Sequence, residues 1–574
     1  MKRMKKFVSL LLTLVMVAAM AIPAFAGSIT IKGTENVPAS EKEFKAYKIL
    51  DVEFPNDENG ETDYSRMAYK VPEALVGFYA EEFGLDASEA SFAQDVVAKI
   101  AALRAEDADD NADGNGDLRA FMSRALKAAK EAGIPGASGA KDGNDYKIEN
   151  LASGYYVVED VTEAPTDGSD YAVSALMLDT TTPDAEITIK TDKPSIDKKI
   201  VEGEGDNATE TNANNAAIGE AVSYKVTSKV PDMTHYNTYT FIVTDTFSKG
   251  LTYNKDLTIT VGGEVVDASL YEETSETEAD GVTKLTINFK DFKANFGKKT
   301  GEDIVITYTA TVNKDAIIGS AGNKNSVKLT YSNDPNHSGE GDNSTVDTPE
   351  VDVFTYVTGL QITKVDATNP DMKLTGAQFK IEGEGLEKAL VKGYEFVEDP
   401  NGEFYKDGDV YTTSEVEGSK KYSKKEVNKT EESVVKVDYV AEVGEDGVLS
   451  LDGLCEGIYT ITEVKAPNGY NILKKPIKIQ IKCNTDNVTA DQTECSWAYR
   501  KSDENGDLPN DETTGYETLD SKTPIIAFDV ENTTGVELPS TGGIGTTIFY
   551  VLGSILLIGA GVLLVTKKKM AGRE

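Results

Sequence analysis

The sequence predicts a mainly all-β chain of tandem antiparallel sandwiches, the first of them interrupted by helices. One observation is a run of short apolar or alternating segments with turn residues between them. These are Val222–Val226, Thr240–Val243, Leu257–Val261, Leu285–Phe289, Ile304–Val312 and Val327–Tyr331. A second is that the habit returns at Leu360–Val365, Ala377–Ile381, Tyr459–Val464, Ile477–Ile481 and Ile525–Val530. A third is that helix-forming sequence is confined to one stretch. There Pro72–Phe83, Ser91–Ala105 and Leu118–Ala132 carry Ala, Leu and Glu at helical spacing.

Taken in order, residues 27–192 form a β-domain with a helical insertion. Its strands are expected at Ile29–Ile31, Phe44–Val52, Tyr155–Val158, Tyr171–Leu178 and Glu186–Ile189, with a loop at Asn111–Asp117. Residues 193–350 read as almost pure β, and residues 351–537 repeat the pattern. Within the latter, the polar Glu382–Tyr439 stretch reads as a long hairpin or loop insertion. About five hundred mature residues are enough for three or more domains.

Both ends carry export signals. Lys2, Arg3, Lys5 and Lys6 precede an apolar Phe7–Ile22 and a small-x-small Ala24-Phe25-Ala26, so residues 1–26 read as a signal peptide removed at Gly27. At the other end stand Leu538, Pro539, Ser540, Thr541 and Gly542, an uncharged Ile544–Val565, and Lys567-Lys568-Lys569. As a helix that run is long enough to cross a bilayer, with the lysines on the cytoplasmic side. The ordered triad in residues 538–574 resembles the sorting signal of sortase substrates in Gram-positive bacteria. The resemblance implies cleavage between Thr541 and Gly542 and transfer of the Thr541 carbonyl to an amine. It also implies a membrane-held precursor, sortase and peptidoglycan as partners, and a final place in the cell wall.

Composition excludes other classes. A net charge of −39 and a pI near 4.5 argue against nucleic acid, whose phosphates need stripes of Lys and Arg. With only His235 and His337, and no Cys/His cluster, no structural metal is expected. No G-x-S-x-G or Gly-rich phosphate loop is present, so neither a cofactor nor a turnover enzyme is expected. Cys455, Cys483 and Cys495 are too few to fasten the fold. Cys483 with Cys495 would close a hairpin-like loop, one of three pairings left open.

One set of residue types recurs in a fixed order. Each of the second and third regions opens with a lysine in its first strand, Lys198 beside Ile196 and Ile200, and Lys364 beside Ile362. Each closes with an asparagine expected in its last strand, Asn325 beside Val327 and Leu329, and Asn532 beside Phe528 and Val530. Between them lies a carboxylate, Asp245 in Phe241–Phe247 and Glu463 in Tyr459–Glu463. Strand parity puts all six on core-facing sides, where polar groups are costly without partners. A buried Lys–Asn–acid triplet can form a spontaneous isopeptide bond. Desolvation favours neutral amine and protonated acid, the amine attacks the carboxamide, and ammonia leaves. Such a reaction happens once per domain.

The segments Ile362–Phe379 (ITKVDATNPDMKLTGAQF) and Tyr459–Tyr470 (YTITEVKAPNGY) resemble collagen-adhesin B-type immunoglobulin-like domains. With the sorting signal, the chain resembles a backbone (shaft) pilin of Gram-positive sortase-assembled pili. That resemblance implies Lys198–Asn325 with Asp245 and Lys364–Asn532 with Glu463, with Lys199 and Asn323 as alternatives. It implies an acceptor lysine near the end of the first domain, where Lys190 stands, with Lys193 next. Neighbouring pilin subunits, with tip and base pilins, would be the further partners. A monomeric wall-anchored adhesin is the alternative function, and a surface enzyme with accessory β-domains a remoter one.

Overall fold

The computed structural model describes residues 27–535 except 35, 61–62, 64–65, 108–116, 181–183, 340, 384–385, 436–438 and 490–493, and also 552–556, 558, 560 and 562. The signal segment 1–26, residues 111–116 of the expected loop, the pentapeptide 538–542 and most of the 544–565 run lie outside the described residues. Among the described residues, no helix is long and apolar enough to cross a membrane.

The first region comprises β1 (Gly27–Lys32), β2 (Phe44–Glu53), α1 (Val76–Phe83), α2 (Phe92–Asp107), α3 (Asp117–Glu131), β3 (Asp145–Leu151), β4 (Gly154–Asp160), β5 (Met177–Thr180) and β6 (Asp184–Thr188). In one sheet β1 runs antiparallel to β3 and parallel to β6; in the other β2 pairs with β4 and β4 with β5. Helix α3 buries Leu118, Phe121, Met122, Ala125, Leu126 and Ala129 on a single stripe. That stripe packs on Ile49, Tyr155 and Val157 of β2 and β4, so the helices cover one face of that sheet. Two details depart from expectation. Strand β3 was not anticipated, although Tyr146 and Ile148 alternate inward along it. The strand expected from Tyr171 begins only at Met177. Residues 171–176 give their amides elsewhere: Val173 to Asn333 O, Ser174 to the Asp160 carboxylate and Leu176 to Asn336 Oδ1.

The second region is a sandwich of two seven-stranded sheets. Its principal strands are β7 (Ile196–Glu202), β8 (Ala221–Lys229), β9 (Phe241–Phe247), β10 (Thr258–Val261), β11 (Thr283–Phe289), β12 (Asp303–Val312), β13 (Asn323–Ser332) and β14 (Val351–Tyr356). One sheet runs β7-β8-β12-β10 and the other β14-β13-β9-β11. Alternation is strict: β12 buries Ile304, Ile306, Tyr308, Ala310 and Val312 and turns the intervening residues away from the core. The sequence places a boundary at 350/351, but β14 pairs with β13, Asn325 opposite Val353, and so belongs to the second sandwich. The strand bearing Asn325 is therefore not its last. No polar linker marks the change, because β14 runs straight into the next strand.

The third region contains β15 (Thr358–Asp366), β16 (Gln378–Gly383), β17 (Lys388–Glu398), β18 (Lys421–Val434), β19 (Val448–Leu454), β20 (Gly457–Lys465), β21 (Ile477–Asn484), β22 (Ser496–Lys501) and β23 (Ile525–Asn532). Strand β23 lies parallel to β15, which pairs with β19 and through it with β17; β16, β20, β21 and β22 make the opposing half. The polar 382–439 stretch is a long hairpin of β17 and β18, with Lys388 opposite Val434 and Glu398 opposite Tyr422. Leu449 of β19 is opposite Ile362 of the neighbouring β15 and wholly buried in the core of the third sandwich. Leu449→Ala is expected to lower the stability of the third sandwich by about 2–5 kcal/mol. Calorimetry would read this as an earlier transition for that unit alone.

Candidate functional site

In the second sandwich the strand order places the three predicted side chains on facing sheets. Lys198 projects from β7; Asp245 and Asn325 project from the adjacent β9 and β13, where Phe247 is opposite Asn325. All three are buried, with Lys198 and Asn325 0% exposed and Asp245 1%. Lys198 Nζ lies 2.5 Å from Asp245 Oδ2 and donates to Tyr308 Oη at 2.6 Å. Tyr308 in turn donates to Asp245 Oδ2, and Asn325 Nδ2 donates to Tyr308 Oη at 3.3 Å. The faces of Tyr224, Phe247 and Tyr308 stand 5.2–5.8 Å from the amine, an aromatic cage that excludes water.

Burial dominates the electrostatics. It pushes the Lys198 amine down to about 8, against the opposing pull of Asp245. It pushes the Asp245 carboxyl up, with Lys198 and Tyr308 holding it back. Asp245 Oδ1 and Asn325 Oδ1 are buried without a hydrogen-bond partner. A proton on Asp245 would turn its Oδ1 into a donor for an acceptor such as Asn325 Oδ1.

The alternatives lie apart. Lys199 projects the other way, to Asn212 Oδ1 at 2.8 Å and Asp197 at 3.5 Å near the surface. Asn323 is buried, but its amide is taken up by the backbone, accepting from Ile317 N and donating to Ile317 O and Thr355 O.

The third sandwich brings its triplet together by another route. Lys364 and Asn532 come from the parallel neighbours β15 and β23, where Lys364 is opposite Val530 and Asp366 opposite Asn532. Glu463 comes from β20 in the opposing half. Lys364 Nζ donates to Val530 O at 2.6 Å and is 3.8 Å from Glu463 Oε1. Asn532 Nδ2 donates to Glu463 Oε1 and Oε2 at 3.1 and 3.0 Å, and Leu473 N donates to Oε2 at 2.8 Å. Burial again pushes the amine down to about 8 and the carboxyl up. Asn532 Oδ1 is buried without a partner, like its counterpart.

Two features escaped the sequence. Tyr308 is one of many inward tyrosines, and only the fold puts its hydroxyl among the triplet. In the first region Lys42 and Asp160 form a buried pair at 2.9 Å, and Lys42 also donates to Ala172 O. Because Lys42 precedes β2 in an irregular turn, no strand parity announced it.

Of the remaining predicted positions, Lys190 follows β6, its backbone amide donating to Ser174 Oγ at 2.9 Å. Lys193 Nζ is tied to Asp170 Oδ1 at 3.0 Å, and that carboxylate also accepts from Tyr331. The disulfide weighed between Cys483 and Cys495 is not formed: all three cysteines are free thiols. The β21–β22 register sets Cys483 opposite Trp497 rather than Cys495.

Three family descriptions match the chain: a Gram-positive pilin backbone subunit 2, Cna-B-like domain over residues 218–335; a prealbumin-like fold domain over 358–494; and an LPXTG cell wall anchor motif over 530–571. The trypsin-resistant surface T6 protein of Streptococcus pyogenes serotype M6 is 25% identical over 486 residues, 75% of this chain and 78% of that one. Among solved structures, the T6 backbone pilin of serotype M6 S. pyogenes is similar at TM-score 0.48 and 16% identity, over 89% of this chain and 99% of that one. The full-length major pilin SpaD of Corynebacterium diphtheriae is similar at TM-score 0.43 and 15% identity, over 89% and 98%. The chain carries a Gram-positive pilin backbone domain and an LPXTG cell wall anchor motif, is similar to the backbone pilins of Gram-positive pili, and is a surface protein anchored in the cell wall.

Proposed function

We propose that this pilin is a covalently fastened shaft subunit, welded internally by Lys198–Asn325 and Lys364–Asn532 amides. It is joined end to end by sortase, which links Thr541 of one subunit to Lys190 of the next. The observation that carries the reading is the pair of buried clusters in which a lysine, a carboxyl and an asparagine come together, with the amine depressed and the carboxyl raised. The lone pair of the neutral amine attacks the carboxamide carbon, and the protonated Asp245 or Glu463 donates to its oxygen. One proton passes from Nζ to Nδ2, the C–Nδ2 bond breaks, and ammonia leaves. Holding the groups in a rigid core supplies the proximity that makes an amide reactive.

Each bond would close a long loop, 325 − 198 = 127 residues and 532 − 364 = 168 residues. By analogy with disulfide loops, each removes about 5 kcal/mol of chain entropy from the unfolded state. The S. pyogenes relative is named for its resistance to trypsin, the behaviour such welding would give. Lys193 is the poorer acceptor because using it would strip the nearly buried Asp170 of its cation. The layout follows: residues 27–192 as the acceptor-bearing domain, two welded sandwiches, and the anchor from 538.

Intact mass is the primary test. The mature chain is expected to weigh two ammonias less than its sequence, one less after Glu463→Gln, and full sequence mass after Asp245→Asn with Glu463→Gln. An unmodified wild-type mass refutes the welded reading. Lys190→Arg is expected to collapse the denaturant-resistant ladder of cell-wall extracts to a single wall-linked band; a persistent ladder assigns another acceptor, and a single wild-type band an adhesin.

The pH profile follows from the pair of groups. Bond formation needs one proton on the lysine–acid pair, held by the acid, so that both the amine and the carboxyl are neutral. Below the raised carboxyl pKa both hold protons and the amine cannot attack; above about pH 8 the last proton is lost and the acid cannot donate. Bond formation in freshly synthesised chain is therefore expected to be bell-shaped in pH. Its alkaline limb lies near pH 8 and its acid limb above the usual carboxylate range, followed by mass spectrometry.

A further inference from the structure

The two clusters differ in who touches the nitrogen that must leave. In the third sandwich Glu463 itself meets Asn532 Nδ2 through both oxygens. In the second, the hydrogen bonds of Asp245 are to Lys198 and Tyr308, and the amide nitrogen of Asn325 is bonded instead to Tyr308. Among the described residues, Tyr308 Oη is the atom hydrogen-bonded to nucleophile, acid and leaving nitrogen together.

Resting on the amide-forming reading above, we propose that Tyr308 is a catalytic residue of the second cluster, the relay that carries a proton from Lys198 Nζ to the departing Nδ2 of Asn325. Before attack, Nδ2 is a planar amide nitrogen and can only donate, as it does to Tyr308. As Nζ adds to Asn325 Cγ, the carbon becomes tetrahedral and Nδ2 regains a lone pair. The phenol then swings its hydrogen from Asp245 to Nδ2 and accepts one from Nζ. The phenol ends as it began, Nζ keeps one hydrogen as the new amide N–H, and Nδ2 leaves as ammonia. Asp245 donates its own proton to the carbonyl oxygen and takes it back as the tetrahedral carbon collapses, and it ferries none between the two nitrogens.

The surroundings fit a relay that is never left charged. Tyr308 is wholly enclosed, and burial beside Asp245 pushes its phenol well above its ordinary value. A free phenolate there would be costly, so the hydrogen is taken up as another is given. The ring is fixed by stacking on Tyr224 at 5.5 Å and by edge contacts with Phe247 and Tyr253 at 5.7 and 5.8 Å. Its hydroxyl therefore has little freedom except rotation of the O–H bond.

Tyr308→Phe removes the hydroxyl and keeps the ring. In the mature chain, formation of the Lys198–Asn325 bond is expected to slow at least about 10²-fold, within the range of lost general acid–base catalysis. The fresh protein would then be lighter by one ammonia instead of two. Peptide mapping would find Lys364–Asn532 joined and Lys198–Asn325 open. Loss of both ammonias at the wild-type rate overturns the proposal. If the Phe variant does not fold, 3-fluorotyrosine at 308 decides, since it keeps ring and hydroxyl with a more acidic phenol. The pH profile of the second bond is then expected to shift while that of the third stays, and two unshifted profiles overturn the relay. A wild-type chain that loses no ammonia refutes the welding itself, a separate outcome from either variant result.

Discussion

The fold is organised around one constraint, an amine and a carboxyl taken out of water together. In bulk solvent a lysine and a carboxylate 2.5 Å apart would both be charged. Here loss of hydration outweighs that attraction, and the amine is pushed down in both sandwiches although an acid stands beside it. The arrangement is unfavourable as a static ion pair, because removing water from both groups costs more than a well-packed apolar pair would. It makes sense as a reactive intermediate, whose strain is relieved when the amine becomes part of a neutral amide.

The two sandwiches meet the constraint by different topologies. In the second, lysine and asparagine lie on facing sheets, and the third strand partner is a tyrosine. In the third, they lie on parallel neighbours of one sheet with the acid reaching across. A bond across a sandwich resists separation of its sheets, whereas a bond between parallel neighbours resists sliding of one strand past the next. The acid faces the lysine in each case, so the proposed chemistry is the same while the direction of the proposed tie differs.

Much of this was legible in the sequence because strand parity is a strong signal. Lys198 shares alternation with Ile196 and Ile200, and Asp245 with Val243 and Phe247, so their burial follows from the period of two. The segments most clearly read were those packed on a core from one side, such as β8 and β12. What could not be read was set by tertiary pairing. Residues 171–176 look like a strand, yet their amides are claimed by Asp160 and by loops of the neighbouring sandwich. Strand β14 looks like the start of a new domain, since nothing local says that its partner is β13. Lys42 sits in a turn, and Tyr308 is distinguished from Tyr224 only by where its hydroxyl lands.

The proposed bonds also set which residues of a shaft would carry load. A pull between Lys190 and Thr541 would travel 198 − 190 = 8 residues to Lys198 and cross to Asn325. It would then follow 364 − 325 = 39 residues to Lys364, cross to Asn532, and leave after 541 − 532 = 9 more. The loops of 127 and 168 residues hang outside that route and bear no load. Residues 27–189 would lie outside it as well, so the Lys42–Asp160 ion pair would bear none of that pull. Extension can be taken up chiefly in the 39-residue stretch, where β14 is held by hydrogen bonds to β13 and to Ala213–Asn215. Those bonds can break and re-form, whereas the proposed amides on either side would set how far a shaft could lengthen.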